Sequence, residues 1–530
     1  MDTNLPAHAP EQATARRLLV LAAVCLAALC MPLSFTGPAI AIPAIAAELR
    51  GTPLALAWIT NAFMLSFGGC LMAAGALADR YGRKRLFMAG MSLFFLTSLA
   101  LAAAPGMLAL DLLRAVQGLA CAMALSSGLA ALAQEFDGPG RARAFSLIGT
   151  AFGVGLAFGP FLAGLLIGRT GWRAIFIATA GAGLAALLAA ARAMRETRDP
   201  QAQGVDWPGA LTFTGALSLF TYGLLQAPES GWGSAASLGL CGGAALLLAA
   251  FIGVERRAAR PMLDLTLFRL PAFAGVQLLA AAPAFSFVVL LVLLPARFIG
   301  IEGYSALEAG RMMIALSAPM LVLPVLAGMA AQRLAAAHIC TSGLLLAAGG
   351  LLWLSTRAPG QSPATLIGPL LLIGCGISLP WGLMDGLAIS VVPVERAGMA
   401  AGIFNTTRVA GEGLALAIVS ALLGTLTVAA LGSVPGIGAA QSALAAPFLA
   451  LGELRHAATL LPHLPAAELA QAYGTAFRHL LYVLAGITTA SALLILAFLR
   501  QPAGERARVG AATSVSAGDT PGQAAAPPAN

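Results

Sequence analysis

The chain alternates long apolar stretches with short polar gaps. Apolar stretches of about 20 residues, the length that crosses the hydrocarbon core of a bilayer as a helix, recur along most of the sequence. Backbone groups in such a stretch must find their partners within it because water is absent, and a helix meets that requirement. Strands of a membrane barrel would be about 10 residues long and alternating, unlike these stretches. We therefore predict fourteen membrane-spanning helices, near residues 18–42, 56–78, 86–104, 108–133, 144–168, 173–191, 208–228, 234–254, 271–295, 307–330, 338–356, 364–392, 398–430 and 474–499.

The composition excludes a soluble enzyme. The 530 residues are 59% hydrophobic and 10% charged, whereas soluble domains are typically about 45–50% apolar and about 25% charged. The net charge of +8 is spread over short loops rather than gathered in one basic domain, so no nucleic-acid partner is expected. The seven cysteines contain no CxxC pair, and we predict neither a disulfide framework nor a metal site.

The basic residues indicate the orientation of the spans. With the N-terminus inside, the inner loops and the two termini hold 20 Lys and Arg residues, and the outer loops hold 8. Cytoplasmic loops carry the excess of positive charge, so both termini are predicted to be cytoplasmic. Arg16 and Arg17 before the first apolar stretch imitate a secretory signal, but the apolar character continues to Pro43. We therefore predict a retained first span.

The polar segments suggest where the chain is divided. Residues 192–207 form a polar connector with charges of both signs, and residues 432–472 form a long external loop. That loop includes most of the run HLPAAELAQAY (463–473), which we interpret as a short amphipathic helix. Residues 501–530 are rich in Ala, Gly, Pro and Ser, a composition typical of a disordered tail.

The segment GALADRYGRKR, residues 75–85, concentrates five charges between two apolar stretches. Gly75 and Gly82 would permit a tight turn and a close approach of helices, and the basic residues, including Arg80 and Arg83, anchor the loop in the cytoplasm. Anchoring does not explain Asp79, which lies on the last turn of a helix where the dipole disfavours negative charge. Asp79 therefore needs a partner, either an arginine or the N-terminus of another helix.

A weak internal repeat supports duplicated halves. Residues 75–90 (GALADRYGRKRLFMAG) and 328–343 (GMAAQRLAAAHICTSG) both connect two predicted spans on the inner side, with glycines and an arginine in register. Gln332 replaces Asp79, and most of the later charge is absent. Duplicated halves are a common design of transporters.

Several motifs follow one another in an order typical of one transporter family. GALADRYGRKR resembles the loop signature of the major facilitator superfamily, LDLLRAVQGLA (110–120) its fourth-span arginine motif, and GLAFGPFLAG (155–164) its fifth-span antiporter motif. Four further segments resemble motifs of the fourteen-span drug–proton antiporters: LSFTGPAIAIP (33–43), WITNAFML (58–65), GWRAIF (171–176) and GYSALEAG (303–310). The resemblance covers about residues 18–499.

This resemblance implies an all-α polytopic membrane protein with the major facilitator fold, in which two six-helix bundles flank two additional central helices. The expected regions are a cytoplasmic segment 1–17, an N-terminal six-helix bundle 18–200, a linker with the two additional transmembrane helices 201–270, a C-terminal six-helix bundle 271–500 and the tail 501–530. The resemblance also implies a proton-coupled antiporter of the bacterial inner membrane that exports amphipathic small molecules or drugs. Its partners would be the substrate, protons and the lipid bilayer, and a periplasmic adaptor with an outer-membrane channel is left open. We expect Gly75, Asp79, Arg80, Gly82 and Arg83 to form a conformational gate, in which Asp79 is an inner-side latch between the bundles when the cavity faces outward.

Arg114 lies inside the fourth predicted span. A buried arginine costs about 2.5–3.5 kcal/mol on insertion scales and marks a pairing or pathway role by default. Asp111, three residues earlier, lies on the same helical face and is expected to neutralise it. The resemblance implies that Arg114 handles protons, with Gln117 beside it; a purely structural pair is the alternative. The resemblance assigns Gly155, Gly159, Pro160 and Gly164 to the antiporter motif. The alternative is that these small residues serve only the close packing of helices.

A second polar cluster lies in the last third of the chain. Asp385 falls in the twelfth predicted span, and Asn405, Arg408 and Glu412 fall in the thirteenth. Arg408 and Glu412 are four residues apart, so we expect them to share a face and to pair. Removal from water favours the neutral form of a carboxyl unless a cation opposes it. Arg408 would hold Glu412 in its ionised form, so Asp385 would be the better proton carrier. An inert buried network is the alternative.

The first predicted span departs from the family motif. Ser34 stands where the family has an acidic residue, and Ala39 where it has Asn. This puts specificity for cationic drugs in doubt and moves the coupling role towards Asp111 and Arg114 or towards Asp385 and Glu412. We assign Ser34, Thr36, Asn61, Gln117 and Asn405 to the substrate cavity.

The sequence lacks the motifs of ATP hydrolysis, which leaves an ion gradient or the gradient of the substrate itself as the energy source. The only lysine, Lys84, is preceded by Arg83, so no GxxxxGK[ST] phosphate loop exists. The five histidines form no HExxH, and no serine lies in GxSxG. We therefore expect neither enzyme activity nor a cofactor. The alternatives are a narrow exporter of one metabolite or organic anion and a non-transporting membrane sensor on the same scaffold.

Overall fold

The computed structural model describes residues 9–136, 138–199, 206–258, 263–392 and 397–499, and these are almost entirely helical, with no strand among them. The predicted tail 501–530 and the first eight residues of the predicted N-terminal segment lie outside the described residues. The fourteen long helices are α1 (Ala9–Leu49), α2 (Pro53–Tyr81), α3 (Arg83–Ala102), α4 (Met107–Glu135), α5 (Gly138–Thr170), α6 (Arg173–Ala193), α7 (Trp207–Ser230), α8 (Ala235–Arg257), α9 (Pro271–Ile301), α10 (Ala306–Ala330), α11 (Ala336–Ser355), α12 (Ala364–Ser390), α13 (Ala397–Gly432) and α14 (Ala466–Leu499).

Each predicted span coincides with one of these helices. Within the described residues, thirteen helices are long and apolar enough to cross a membrane. The other predicted span, 208–228, is α7, a helix of 24 residues whose threonines and serines make it less apolar. The large apolar side chains that remain exposed on α3, α6 and α8 suit contact with lipid: Leu96, Leu99, Ile177, Leu188, Leu246 and Leu248.

We call α1–α6 the N-terminal half and α9–α14 the C-terminal half. Within the N-terminal half, α1 packs on α5 and α6, and α4 packs on α2 and α3. Within the C-terminal half, α11 packs on α12 and α14, and α14 also packs on α9 and α13. The buried apolar side chains of both halves form one continuous core.

Two seams join the halves. At the first, α5 packs on α10; at the second, α2 packs on α13. The additional helix α7 lies against both α2 and α13, and α8 packs on α7. Thr214 of α7 donates a hydrogen bond to the Gly69 carbonyl of α2 at 3.0 Å, and Trp232 beyond α7 donates to Thr425 of α13 at 3.0 Å. The additional pair therefore covers the α2–α13 seam.

Three helices of the C-terminal half are irregular. The helix α9 contains π-helical turns at Ala284–Val288 and Arg297–Ile301, each just after a proline, Pro283 or Pro295. A proline removes one backbone hydrogen bond and forces such adjustments. The helix α10 tightens to a 3-10 turn at Ala318–Leu321, and α12 is interrupted between Trp381 and Met384.

The connection between α13 and α14 is folded. It contains two short helices, Ala439–Ala450 and Leu454–Leu460. The predicted amphipathic segment 463–473 is helical from Ala466 onwards, but it forms the first turns of α14 rather than a separate helix. Gly452 packs its carbonyl against Gly300 at the end of α9, so this connection covers that end.

Candidate functional site

The charged loop between α2 and α3 is held by the segment that follows α6. Gly82 closes α2 with φ +115°, in the left-handed region that favours glycine. The Glu196 carboxylate accepts hydrogen bonds from the backbone N–H groups of Lys84 at 3.2 Å and Arg85 at 3.1 Å. A carboxylate in this position stabilises the start of α3 through its unpaired N–H groups and dipole.

Asp79 has the arginine partner that its position requires. Arg83 donates to the Asp79 carboxylate at 2.8 and 3.1 Å, one helical turn away. The Asp79 carbonyl also accepts from the backbone N–H of Asp199 at 3.0 Å. All these contacts lie within the N-terminal half. Arg80 lies over the neighbouring ring of Tyr81 and is exposed.

Gly75 does not serve a close helix approach in this structure. A Cβ atom added to Gly75 would meet no atom within 4 Å, whereas one added to Gly82 would strike the Glu196 carboxylate. The predicted close approach is therefore met at Gly82 alone, where the loop packs on the segment after α6.

The glycines of α5 contact two different helices. A Cβ added to Gly155 would strike Pro32 of α1, and one added to Gly159 would strike the Thr36 hydroxyl. A Cβ added to Gly164 would strike the Ala306 carbonyl at the start of α10. The reciprocal glycine of α10, Gly310, would bring its Cβ to 2.7 Å from the Pro160 carbonyl. Small residues here allow the α5–α10 seam to close at backbone contact.

Arg114 is fully buried between α2, α3 and α4. Its Nε donates to the Ile59 carbonyl at 2.8 Å, and its Nη1 donates to the Gln117 side-chain oxygen at 2.5 Å. Gln117 in turn donates to the Ser98 hydroxyl of α3 at 2.8 Å. The guanidinium also lies 4.3 Å from the centre of the Phe63 ring. We call Arg114, Gln117, Ser98 and Phe63 the Arg114 cluster.

The ion pair expected between Asp111 and Arg114 is not formed. No salt bridge joins them in the described structure, and one Asp111 carboxylate oxygen is buried without a hydrogen-bond partner. One nitrogen of Arg114, Nη2, is also buried without a partner. The spacing of three residues placed the two groups on one side of α4, but the Ile59 carbonyl and Gln117 offer the guanidinium closer acceptors.

Arg408 lies at the boundary of the two halves. Its Nη2 donates to the Asn405 side-chain oxygen at 2.8 Å, and its Nη1 lies 3.5 Å from an Asp385 oxygen. The guanidinium lies 5.7–5.9 Å from the centres of three aromatic rings, those of Phe404, Trp381 and Phe152. Phe152 belongs to α5 of the other half. We call Arg408 with Asn405, Asp385 and these rings the Arg408 cluster.

The expected pairing of Arg408 with Glu412 is not formed either. In the described part of the chain Arg408 contacts Asp385, whose side chain is 59% exposed, and no hydrogen bond or salt bridge joins Arg408 to Glu412. Glu412 itself is 7% exposed. The guanidinium of Arg408 therefore contacts the exposed Asp385, whereas the buried Glu412 has no hydrogen bond or salt bridge to it among the described residues.

The other residues assigned to the cavity are separated. Ser34 is buried and its hydroxyl has no partner, whereas the Thr36 hydroxyl donates to the Pro32 carbonyl at 2.8 Å. Asn61 lies in a narrow gap with Thr221 of α7 and Gly413 of α13. Asn61 therefore lies at the α2–α13 seam and not with Ser34 on α1.

The sequence did not reveal a buried ion pair at the end of α9. Arg297 donates to the Glu302 carboxylate at 2.7 Å, and both side chains are 2% exposed. Burial and the neighbouring Glu302 carboxylate raise the pKa of Tyr304. Arg297 lies just beyond the predicted span 271–295, which suggests a loop position; the π-helical turn and the folded α13–α14 connection bury it. The available signal was a charge two residues after Pro295.

Other polar side chains that the sequence did not single out are buried inside α9 and α10 without a hydrogen-bond partner: Gln277, Ser286 and Ser317. In the described residues, no group of three or more His, Cys, Asp or Glu side chains is placed to hold a metal ion.

Comparisons with known proteins agree with this helical architecture, which is that of a multi-pass membrane transporter. The model of the Major Facilitator Superfamily matches residues 24–416. The chain belongs to the Major Facilitator Superfamily.

Relatives of known name resemble the chain over most of its length. The Multidrug resistance protein Stp of Mycobacterium tuberculosis is 32% identical over 386 residues, covering 72% of each chain. The Tetracenomycin C resistance and export protein of Streptomyces glaucescens is 31% identical over 421 residues, covering 79% of this chain and 78% of its own. The cephamycin export protein CmcT of Amycolatopsis lactamdurans is 32% identical over 423 residues, covering 79% and 87%.

A solved structure shares the fold. The human organic anion transporter MFSD10 (TETRAN) superposes with a TM-score of 0.53 over 89% of this chain and 99% of its own, at 17% identity.

Proposed function

We propose that this protein exports amphipathic small molecules or drugs across the bacterial inner membrane in exchange for protons. The Arg408 cluster is the observation that carries the proposal. In this cluster a buried guanidinium and an exposed carboxyl at Asp385 lie beside Phe152 of α5 in the other half, and the buried carboxyl of Glu412 lies four residues beyond Arg408 on α13. Ionisable groups inside membrane spans are costly and mark ion or substrate pathways by default.

The names of the relatives support export as the direction of transport. Stp is named for multidrug resistance, and two others are named as export proteins for tetracenomycin C and cephamycin. Members of this superfamily transport small molecules, and proton coupling is typical of them. We infer that the same activity extends to this chain.

The proton would be carried by Glu412 in this proposal. A carboxyl removed from water favours its neutral form unless a cation is in contact with it, and the guanidinium of Arg408 contacts Asp385 instead. Substrate entering beside the rings of Trp381 and Phe152 would reach the same cluster. Protonation of Glu412 and binding of substrate would then compete for one site, which is the requirement for exchange.

In this proposal the two bundles move against each other at the two seams. Alternating access arises by rocking one bundle against the other, and residues 18–200 and 271–500 are the proposed bundles. The α5–α10 seam, closed by Gly164 and Gly310, would open and close opposite the charged loop 75–85. Gly75, Asp79, Arg80, Gly82 and Arg83 form the gate at the side that we propose to be cytoplasmic, together with both termini.

A drug-susceptibility panel in a bacterial host without its own efflux pumps tests this function. We expect the protein to raise resistance to several unrelated amphipathic drugs, and a proton uncoupler to remove that resistance. Equal susceptibility of cells with and without the protein, when the protein is shown to be present in the membrane, would contradict the proposal.

A narrow exporter of an organic anion is the second candidate. Ser34 replaces the acidic residue of the family's first span, and it is buried without a partner. The Arg408 cluster offers a cation with one unpartnered nitrogen, Nε, among aromatic rings. Resistance confined to one aromatic carboxylate or phenolate in the same panel would favour this candidate over broad efflux.

A further inference from the structure

An open pocket of about 610 Å³ lies where the ends of α1, α4 and α6 meet. It is on the same side of the molecule as the loop 75–85, because its wall includes Thr197, whose carbonyl accepts from the Arg83 N–H at 2.9 Å. None of the transport steps proposed above uses this pocket. Its lining is predominantly polar, and three of the lining side chains are arginines: Arg16, Arg17 and Arg195.

The pocket carries an excess of positive charge. Arg16 is occupied, since it pairs with Glu135 through both terminal nitrogens and also donates to the Ala193 carbonyl at 3.3 Å. Arg17 reaches the same carboxylate only at 3.6 Å and is 54% exposed. Arg195 is exposed at the rim. Among the described lining residues, one carboxylate therefore faces three guanidinium groups, and those of Arg17 and Arg195 remain available.

Neutral donors complete the lining. The Thr197 hydroxyl is buried in the wall without a hydrogen-bond partner, and the amide of Gln134 lies at the rim. Arginine presents a planar fork of N–H groups that matches the oxygens of a phosphate, and its bonds to phosphate are charge-assisted. A hydroxyl and an amide beside two such forks suit a group with several strong acceptor oxygens.

We propose that this pocket binds a phosphate group, through Arg17, Arg195 and Thr197. Basic pockets between membrane helices on the cytoplasmic side bind the head groups of anionic lipids, and soluble phosphate offers the same oxygens. The two sources share this chemistry and differ in the acyl chains.

Occupation of the pocket would reinforce the contact that holds the charged loop. The segment 194–199 forms one wall of the pocket and also binds the loop, through Glu196 to Lys84 and Arg85 and through Asp199 to Asp79. A phosphate group that joins Arg17 of α1 to Arg195 and Thr197 would fix this segment against α1. The site would therefore regulate the gate without lying on the substrate path.

Binding to the purified full-length protein in detergent tests the proposal without any transport assay. The probes are dihexanoyl phosphatidylglycerol, dihexanoyl phosphatidylcholine and inorganic phosphate, titrated by calorimetry at constant ionic strength. We expect phosphatidylglycerol to bind more tightly than the zwitterionic phosphatidylcholine. Equal binding of inorganic phosphate would identify soluble phosphate as sufficient; binding of phosphatidylglycerol alone would identify the membrane lipid as the source.

Variants assign the binding to this pocket. The double substitution Arg17→Gln with Arg195→Gln should weaken binding at least about tenfold, because two charge-assisted contacts are lost. Arg192→Gln is the matched control, since Arg192 is exposed on the last turn of α6 and does not line the pocket; its binding should equal that of the unaltered protein. Because Arg17 and Arg195 are largely exposed, we expect the double variant to fold.

A third variant keeps the charge and removes only the hydroxyl. Thr197→Val should weaken binding about two- to tenfold, as expected for one lost hydrogen bond to a charged group. Binding of neither phosphatidylglycerol nor inorganic phosphate, or unchanged binding by the double variant, would overturn the proposal whatever the outcome of the efflux assays.

Discussion

Two buried arginines, Arg114 and Arg408, are held in different ways. Arg114 is completely enclosed within the N-terminal half, and its described hydrogen bonds are to neutral acceptors of α2 and α4. Arg408 retains 9% exposure, touches an exposed carboxylate and lies beside an aromatic ring of the other half. If the halves move against each other, the Arg114 cluster would keep its contacts, which all lie within one half, whereas Arg408 would lose or change its contact with Phe152.

This difference separates two roles that the family resemblance leaves together. An arginine bound only by its own half can set the electrostatic field of the pathway but cannot sense the movement. An arginine at the boundary can exchange partners during the cycle. We infer that Arg114 holds the N-terminal half in its working geometry, and that Arg408 with Glu412 couples protons to movement.

The largest effect is expected at Arg114. Arg114→Lys keeps the charge but loses the planar fork that reaches Ile59 and Gln117 together. Loss of hydrogen bonds from a charged group, at about 1.5–3 kcal/mol each, should lower efflux more than about 10- to 100-fold and lower the unfolding temperature. Drug accumulation and thermal unfolding of the purified protein measure both.

Arg408→Lys is the counterpart of that variant. Because Asp385 is exposed and its contact is long, lysine should keep part of the function, with a loss of about tenfold or less and a nearly unchanged unfolding temperature. If both variants lose efflux and stability equally, the contrast between the two clusters is wrong.

The next effect separates the two acidic residues of the C-terminal half. Glu412→Gln should reduce drug resistance about tenfold, since the proposed proton carrier is lost while the shape of the side chain is kept. Asp385→Asn should reduce it only about twofold, as is typical for an exposed ion pair. Minimal inhibitory concentrations at equal membrane levels measure this; a larger effect of Asp385→Asn would return the proton to Asp385.

A smaller effect is expected at the seam that the movement must open. Gly164→Ala places a methyl group against the Ala306 carbonyl and should cost about 1–3 kcal/mol in the closed seam, a several-fold reduction in efflux. Gly149→Ala, on the same helix, is the control because a Cβ there meets nothing within 4 Å. Equal transport by the two variants would show that export does not depend on close contact at this seam.

The smallest effect is expected at Asp79. The partner of Asp79, Arg83, lies on the same loop, and the side chain of Asp79 is 41% exposed. Asp79→Asn should therefore change efflux by about twofold or less. The latch between the bundles that the sequence suggests for Asp79 is not formed in this structure, where the contacts of Asp79 are to Arg83 and Asp199. A loss of tenfold or more, with normal insertion, would indicate that the latch forms in another state of the cycle.

The sequence predicted the helices because the bilayer imposes a length and a polarity on each span. It did not predict the two π-helical turns of α9, since these depend on how Pro283 and Pro295 are accommodated by neighbouring helices. The start of α14 at Ala466, rather than near 474, reflects packing of its first turns against the folded α13–α14 connection.

The candidate site was predictable as a set of residues but not as a set of pairs. Helical spacing placed Arg408 and Glu412 on one face, yet the guanidinium turns towards Asp385 of α12. Spacing also placed Asp111 beside Arg114, where the Ile59 carbonyl provides a closer acceptor. Contacts between different helices decide the partner of a long side chain, and one sequence contains no record of them.

Proton movement by the purified protein tests the central claim most directly. The protein is placed in vesicles with an imposed proton gradient, and the collapse of that gradient on addition of a transported drug is followed with a pH-sensitive dye. The account predicts that the unaltered protein collapses the gradient and that Glu412→Gln does not, although both bind the drug. Equal collapse by Glu412→Gln, or no drug-dependent collapse by the unaltered protein, would contradict it.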